Sequence, residues 1–136
     1  MKEYLPRELA VQLLVEAQRE PEQEVCGLIA TRDGGPHRLI PIQNIAAEPG
    51  TLFEMEPQAQ IEAMRAIREQ GETLWAIYHS HPHAPAVPSA KDLADTAYPE
   101  ALYLVISLNT EGVMEMGGYR LQQGHFEPVA LETALF

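Results

Sequence analysis

The run Leu74-Trp75-Ala76-Ile77-Tyr78 is apolar on both alternating faces and ends directly on His79-Ser80-His81. A strand with one wet face alternates apolar and polar residues, whereas a strand covered on both faces reads as a continuous apolar run. Residues 73–80 are therefore expected at the centre of a sheet. Alternate strand residues share a face, so His79 and His81 leave the strand end side by side and Ser80 points the other way. Three prolines force residues 82–88 into a loop. Residues 89–97 then read as a short helix, on which Ser89 and Asp92, three apart, share a face.

The remaining elements follow from periodicity and punctuation. Residues 6–20 read as a helix, with Leu9, Leu13, Leu14 and Ala17 on one face, Pro6 in the first turn and Pro21 closing it. Residues 24–31 read as a strand, turned by Asp33-Gly34-Gly35 into a hairpin partner at 37–44. Pro41 inside that partner marks an edge or irregular strand. Residues 51–55 form another short strand. Pro57 starts a second helix with apolar Ala59, Ile61, Ala63, Met64 and Ile67, ended by Gly71. Residues 101–108 are a buried strand, followed by strands at 113–120 and 125–129. This order gives an α/β (α+β) fold: a mixed, mostly antiparallel sheet flanked by helices.

Composition narrows the class. A chain of 136 residues suits one domain, taken as 1–136. The net charge is −11 and the nine Lys and Arg are scattered, which argues against phosphate neutralisation and hence against nucleic acid as partner. No stretch approaches the ~18 apolar residues of a membrane span, and the N-terminus lacks the apolar run of a signal peptide. The single Cys26 allows no internal disulfide. These features set the expectation of a cytoplasmic protein with no membrane partner.

Two His and one Asp are good ligands for a divalent metal, and three ligands leave a position open for water, the pattern of a catalytic site. Hydrolysis needs a further acid to take the water's proton. Chemistry alone leaves Glu24, Glu54, Glu56 and Asp95 as candidates. Glu24 opens an otherwise apolar strand, where an acid is either exposed at its mouth or functional. Ser89-Ala90-Lys91-Asp92 also has the form of an N-capping box, so Ser89 can cap the helix and still offer its hydroxyl.

Taken together, Glu24-Val25-Cys26-Gly27-Leu28-Ile29, His79-Ser80-His81-Pro82, Ser89 and Asp92 resemble the JAMM (MPN-plus) metalloproteases. That family has a glutamate on an early Glu-x-x-Gly-Leu strand, then His-x-His, seven residues, Ser, two residues and Asp. The chain matches the spacing throughout, and the element order agrees over nearly its whole length. The resemblance implies an MPN-like fold of cytidine deaminase-like architecture. It implies that His79, His81 and Asp92 bind zinc (Zn2+), that Glu24 holds the water as general base, and that Ser89 hydrogen-bonds the oxyanion. It implies cleavage after the C-terminal glycine of a ubiquitin-like or sulfur-carrier protein of the ThiS/MoaD kind, with the small bacterial Mec-type members closest in size. The competing readings are a non-catalytic MPN-like interaction module and a zinc hydrolase of small amides. Oligomeric state is left open. His83, His37 and His125 read as surface residues, Cys26 and Trp75 as core, and Asp95 as a solvated helix acid.

Overall fold

A computed structural model of the chain describes residues 2–33, 35–94, 98–109 and 115–133. Among the described residues the elements run β1 (Lys2–Tyr4), α1 (Arg7–Arg19), β2 (Cys26–Thr31), β3 (His37–Ile42), α2 (Pro57–Glu69), β4 (Thr73–His81), α3 (Ala90–Ala94), β5 (Leu102–Ser107), β6 (Glu115–Gln122) and β7 (His125–Glu132). The strands form a seven-stranded sheet in the order β1-β7-β6-β5-β4-β2-β3. The all-apolar run does sit inside it: β4 lies between antiparallel β2 and parallel β5. The parallel pair is joined by the crossover that carries α3 and the proline loop. The mixed, mostly antiparallel sheet with helices is the architecture expected from the sequence.

Alternation along the strands sorts the core into two layers. One face buries Ile29, Ala76, Tyr78, Leu102, Leu104 and Ile106 beneath Leu9, Leu13 and Ala17 of α1. The other carries Cys26, Leu28, Ala30, Ile77 and Tyr103 beneath Ala63 and Ile67 of α2. Each fully buried leucine or isoleucine contributes ~1.5–3 kcal/mol. Because Ile77 faces α2, His79 and His81 continue on that face at the strand end. Gly27, the glycine of the Glu-x-x-Gly-Leu run, has a specific cause: a Cβ there would lie 2.5 Å from Ile40 O and 2.6 Å from the Tyr78 ring. Leu28 follows it into the α2-side core.

Four details differ from the sequence reading. β1 is unanticipated. It has three residues, too few for periodicity, and is held by parallel pairing to β7 and by Leu5 N donating to Glu132 O at 2.8 Å. Residues 51–55 make a single bridge, Asn44 to Met55, rather than a strand. β2 begins at Cys26, so Glu24 lies before the strand rather than in it. Ile61, counted among the apolar positions of α2, is exposed. Pro41 does lie on the edge strand β3. Asp95 falls outside the described residues.

Candidate functional site

His79, Ser80 and His81 are all buried at the end of β4. Ser80 faces away from the histidines, as alternation requires, and ties down a distant segment: its Oγ accepts from Val25 N at 2.9 Å, and its own N donates to Val25 O at 3.0 Å. That clamp brings Glu24 alongside His81. Glu24 N also donates to Pro49 O at 2.6 Å, and Asn44 Nδ2 donates to Glu24 O at 2.9 Å. Asn44 is the hub of the 44–54 loop, since Nδ2 also reaches Leu52 O while Oδ1 accepts from Ala46 N and Glu54 N. Glu24 is thereby fixed by backbone bonds while its side chain is left free for the site.

Asp92 arrives from the opposite side on α3. Ser89 Oγ accepts from Asp92 N at 3.0 Å, and Ser89 N donates to Asp92 Oδ2 at 2.8 Å. This reciprocal pair is the capping box read from the sequence. Ser89 itself is exposed at the mouth of the site. Its Oγ acts as acceptor in that bond, so the bond does not use its hydroxyl proton. Ser89 therefore stands beside the cluster and orients Asp92.

The ligand atoms of Glu24, His79, His81 and Asp92 all lie within 4.8 Å of one another. Asp92 Oδ2 is 3.0 Å from His79 Nε2 and 3.3 Å from His81 Nε2, and the two Nε2 atoms are 3.1 Å apart. A tetrahedral site with ligands at ~2.0–2.1 Å places its ligand atoms roughly 3.3 Å apart, which is this triangle. The tautomers agree. Pro85 O is 2.9 Å from His81 Nδ1; a carbonyl only accepts, so Nδ1 carries a proton, and when the ring is neutral its Nε2 lone pair faces the Asp92 carboxylate. Between these two atoms stands either a proton or a metal cation. The buried Glu24 Oε1 has no hydrogen-bond partner among the described residues, and an orphaned buried carboxylate oxygen marks a missing neighbour. Two imidazoles and carboxylates suit a divalent first-row metal, so the residues present fit a metal site.

The protonation equilibria follow from burial. Burial pushes the Glu24 carboxyl up to about 7, against a lowering from His81. Burial raises the Asp92 carboxyl, but hydrogen bonds with His79 and His81 outweigh it and hold the group below the usual carboxylate range. Burial lowers His79 despite Asp92. In His81 burial is outweighed by Asp92, Pro85 and Glu24, so its pKa rises. Glu24 is thus a buried carboxyl that changes charge near neutrality in the metal-free protein. Glu56 caps α2 by accepting from Gln58 N and Ala59 N, and Glu54 is exposed.

Three contributors escaped sequence reasoning. Phe53 stacks on His79 with ring centroids 4.5 Å apart at 24°. Pro85 sets the His81 tautomer through its carbonyl, which carries no side-chain signal. Asn44 acts through a loop whose course is set by tertiary contacts. The proline loop itself is pinned by Ser107 Oγ donating to Ala84 O and Tyr119 OH donating to Ala86 O, both at 2.6 Å. His83 is exposed and pairs with Glu22 at 3.0 Å, and Cys26 is buried core, as read. Trp75 is half-buried against the α1-side core, with the half-buried His37 edge-on to it. Beside the cluster opens a cavity of about 620 Å³ lined by Phe53, Met55, Tyr98, Tyr103 and Phe126 and reaching His79 and Asp92.

Comparison with known proteins places this arrangement. Residues 6–120 match the family model described as prokaryotic homologs of the JAB domain. The chain belongs to that family. A desampylase of Haloferax volcanii is 35% identical over 91 residues, covering 65% of each chain. A probable TtuB-protein conjugate cleaving protease of Thermus thermophilus is 37% identical over 95 residues, covering 70% of this chain and 64% of that protein. The CysO-cysteine peptidase of Mycobacterium tuberculosis is 31% identical over 114 residues, covering 82% and 77%. The alignments thus span just under two thirds of the first two relatives. A solved structure from Desulfitobacterium hafniense superposes with a TM-score of 0.81 at 27% identity over 96% of this JAB-family chain and 91% of that one. A JAB1/MPN domain protein of Archaeoglobus fulgidus, at 17% identity and a TM-score of 0.58 over 96% and 98%, shares the fold. No described helix of this JAB-family protein is long and apolar enough to cross a membrane.

Proposed function

We propose that this chain is a zinc-dependent peptidase, with residues 1–136 as one catalytic domain. It cuts a peptide or isopeptide bond after the C-terminal glycine of a ubiquitin-like or sulfur-carrier protein, working in the cytoplasm, where the lone buried Cys26 stays reduced. The names of the relatives, a desampylase, a probable TtuB-protein conjugate cleaving protease and a CysO-cysteine peptidase, support the substrate class. The observation that carries the reading is the buried Glu24 Oε1, without a partner among the described residues, next to the His79–His81–Asp92 triangle. A binding module gains nothing from an orphaned carboxylate, and a hydrolase requires one.

In this reading His79, His81 and Asp92 hold zinc. Bound there, zinc supplies a water acidified to a pKa of ~7 and polarisation of the scissile carbonyl. Glu24 takes the proton at its cluster-facing carboxylate oxygen and returns it to the leaving amine. In the metal-free protein burial raises this carboxyl above the usual carboxylate range, which strengthens it as a proton acceptor. Ser89 donates from Oγ to the oxyanion of the substrate, with its position set by the cap it makes with Asp92. Pro85 and Phe53 keep the two imidazoles oriented.

The test is direct. Zinc content near one per chain is expected, together with mass-spectrometric trimming of a carrier extended beyond its terminal glycine. Glu24→Gln is expected to keep the zinc and lose the trimming. Binding of no zinc after reconstitution, or trimming by Glu24→Gln at the wild-type rate, refutes the assignment.

A further inference from the structure

The two imidazoles of the cluster are held in different ways. Phe53 stacks on the His79 ring, whereas among the described residues the ring that meets His81 is His79 itself, with centroids 4.9 Å apart. The plane of the His81 ring is set instead by Pro85 O, 2.9 Å from Nδ1. Pro85 belongs to the loop at 82–88, which takes no part in the sheet, and Ala84, Pro85 and Val87 are exposed. A carbonyl on such a loop turns to water unless something aims it.

The aim comes from the neighbouring strands, which commit three consecutive carbonyls of the loop. Ala84 O accepts from Ser107 Oγ and Ala86 O accepts from Tyr119 OH, both at 2.6 Å, and Pro85 O between them meets His81. Val87 N also donates to Pro85 O at 2.8 Å, closing a tight turn over Ala86. Ser107 is the parallel partner of His81 at the end of β5, and Leu108 N donates to His81 O at 3.1 Å. Asn109 N donates to Ser107 Oγ at 3.1 Å, so the single hydroxyl proton goes to Ala84 O. Tyr119 comes from β6, and Gly117 two residues earlier leaves room for its bond. A Cβ on Gly117 would lie 2.5 Å from Ala86 O and 2.8 Å from the Tyr119 hydroxyl.

Neither hydroxyl is needed to build the sheet. β5 and β6 pair through their backbones, and the Tyr119 ring packs against Phe126 at a centroid distance of 6.4 Å without using its hydroxyl. Apart from the exposed His83–Glu22 pair, the Glu24 segment is tied elsewhere, by Ser80, Pro49 and Asn44. One task is left for the two hydroxyls, which is to keep Pro85 O on the His81 ring.

We propose that Tyr119 and Ser107 are positioning residues for the metal. They pin the loop on both sides of Pro85, and through that carbonyl they hold His81 in its ligating orientation. The proposal rests on the metal-centre reading of His79, His81 and Asp92, and it adds two residues of β5 and β6 that lie outside the four-residue cluster. Groups that orient a ligand imidazole typically change metal affinity by ~10–100-fold.

The test compares Tyr119→Phe and Ser107→Ala with Tyr103→Phe in the full chain. Tyr103 is the control because its hydroxyl also donates to a backbone carbonyl, Tyr98 O at 3.0 Å, and its ring also packs on Phe126, yet it makes no bond to the loop. Zinc affinity, read by competition with a chromophoric chelator at fixed pH, should fall ~10–100-fold in Tyr119→Phe and Ser107→Ala and stay at the wild-type value in Tyr103→Phe. Thermal melts confirm that all three fold. The visible spectrum of the Co2+-loaded protein reports ligand number and geometry. It should weaken in the first two variants as water displaces a loosely held imidazole, and match wild type in the third. In metal-free protein the His81 Nδ1–H proton, protected by Pro85 O in wild type, should exchange with solvent about tenfold faster or more in Tyr119→Phe and Ser107→Ala. Wild-type zinc affinity and Co2+ spectrum in both loop variants overturn the assignment, even if their melting temperatures fall. An equal loss in Tyr103→Phe overturns it too, since the hydroxyls would then be general supports of the fold. If the affinities change as expected and zinc-loaded wild type cuts no extended carrier, the peptidase reading fails and the positioning role stands. If wild type binds no zinc, the metal-centre reading fails, and with it the role proposed for the two hydroxyls.

Discussion

Ser80→Ala separates the placement of Glu24 from the holding of metal. Ser80 has no solvent access, and its Oγ is the acceptor for Val25 N at 2.9 Å. Removing it strands a buried amide, at a cost of ~1–3 kcal/mol. For a chain of this length the melting temperature should fall by roughly 3–5 °C per kcal/mol. The second bond of the clamp, Ser80 N to Val25 O, survives the substitution, as do Glu24 N to Pro49 O and Asn44 Nδ2 to Glu24 O. The Glu24 segment is therefore loosened rather than released. If Glu24 is the general base proposed above, displacing it by ~1 Å lowers turnover up to ~100-fold. The bonds that orient His79, His81 and Asp92 do not involve Ser80 Oγ, so zinc affinity should stay within a few-fold of wild type. Thermal unfolding, zinc competition with a chromophoric chelator, and turnover of an extended carrier read the three quantities separately. Wild-type melting and turnover would refute the clamp. Loss of zinc in parallel with turnover would show that Ser80 acts through the histidines and not through Glu24.

Glu24→Gln should lower turnover ~10²–10⁴-fold with metal retained, and in metal-free protein it should change the pH dependence of stability. The folded carboxyl is raised to about 7 from 4.5, so its contribution is fully present below pH ~4.5 and is lost as pH rises through 7, by roughly 3 kcal/mol. Wild type minus variant, measured by denaturant titration across that window, should show this decline; a flat difference would contradict it. Gly117→Ala should place a Cβ 2.5 Å from Ala86 O. Pushing the proline loop off β6 in this way costs ~1–3 kcal/mol and loosens Pro85 from His81, to be read as reduced zinc affinity and a lower melting temperature. The Cys26 thiol, pushed up to about 12 by burial, should be inert to a disulfide reagent at pH 8 in the native protein and react fully in denaturant. Rapid native labelling would show that β2 opens.

Much of the site could be read in advance because its parts are local. The continuous apolar run ending at Tyr78, the i, i+2 spacing of His79 and His81, and the Ser89–Asp92 cap each depend on one element's own geometry. Each appears in the structure where that geometry puts it. Glu24 was legible only through the resemblance of its motif, since composition and charge left four acids open. The contributions of Phe53, Asn44 and Pro85 were not legible, because a stacked ring, a loop hub and a backbone carbonyl carry no periodic signal. Ile61 misled for a related reason: an apolar residue on a helix looks like core until the packing of Ala63 and Ile67 shows which stripe is buried.

The sequence by itself determined the element order, the two-faced burial of the central strand, and three candidate metal-ligand side chains aimed from a strand end and a helix start. Hydrophobic periodicity and capping are short-range and operate within each segment. Only the tertiary structure decided where the fourth group goes. Cys26 pairs opposite His79 in the antiparallel β2–β4 register, and the Ser80–Val25 clamp continues that register past the strand end, which brings Glu24 to the cluster across 57 residues of chain from His81. Non-local pairing is selected by the burial of both sheet faces together, so the burial that leaves the Glu24 carboxyl poised near neutrality belongs to the folded sheet and to no single segment.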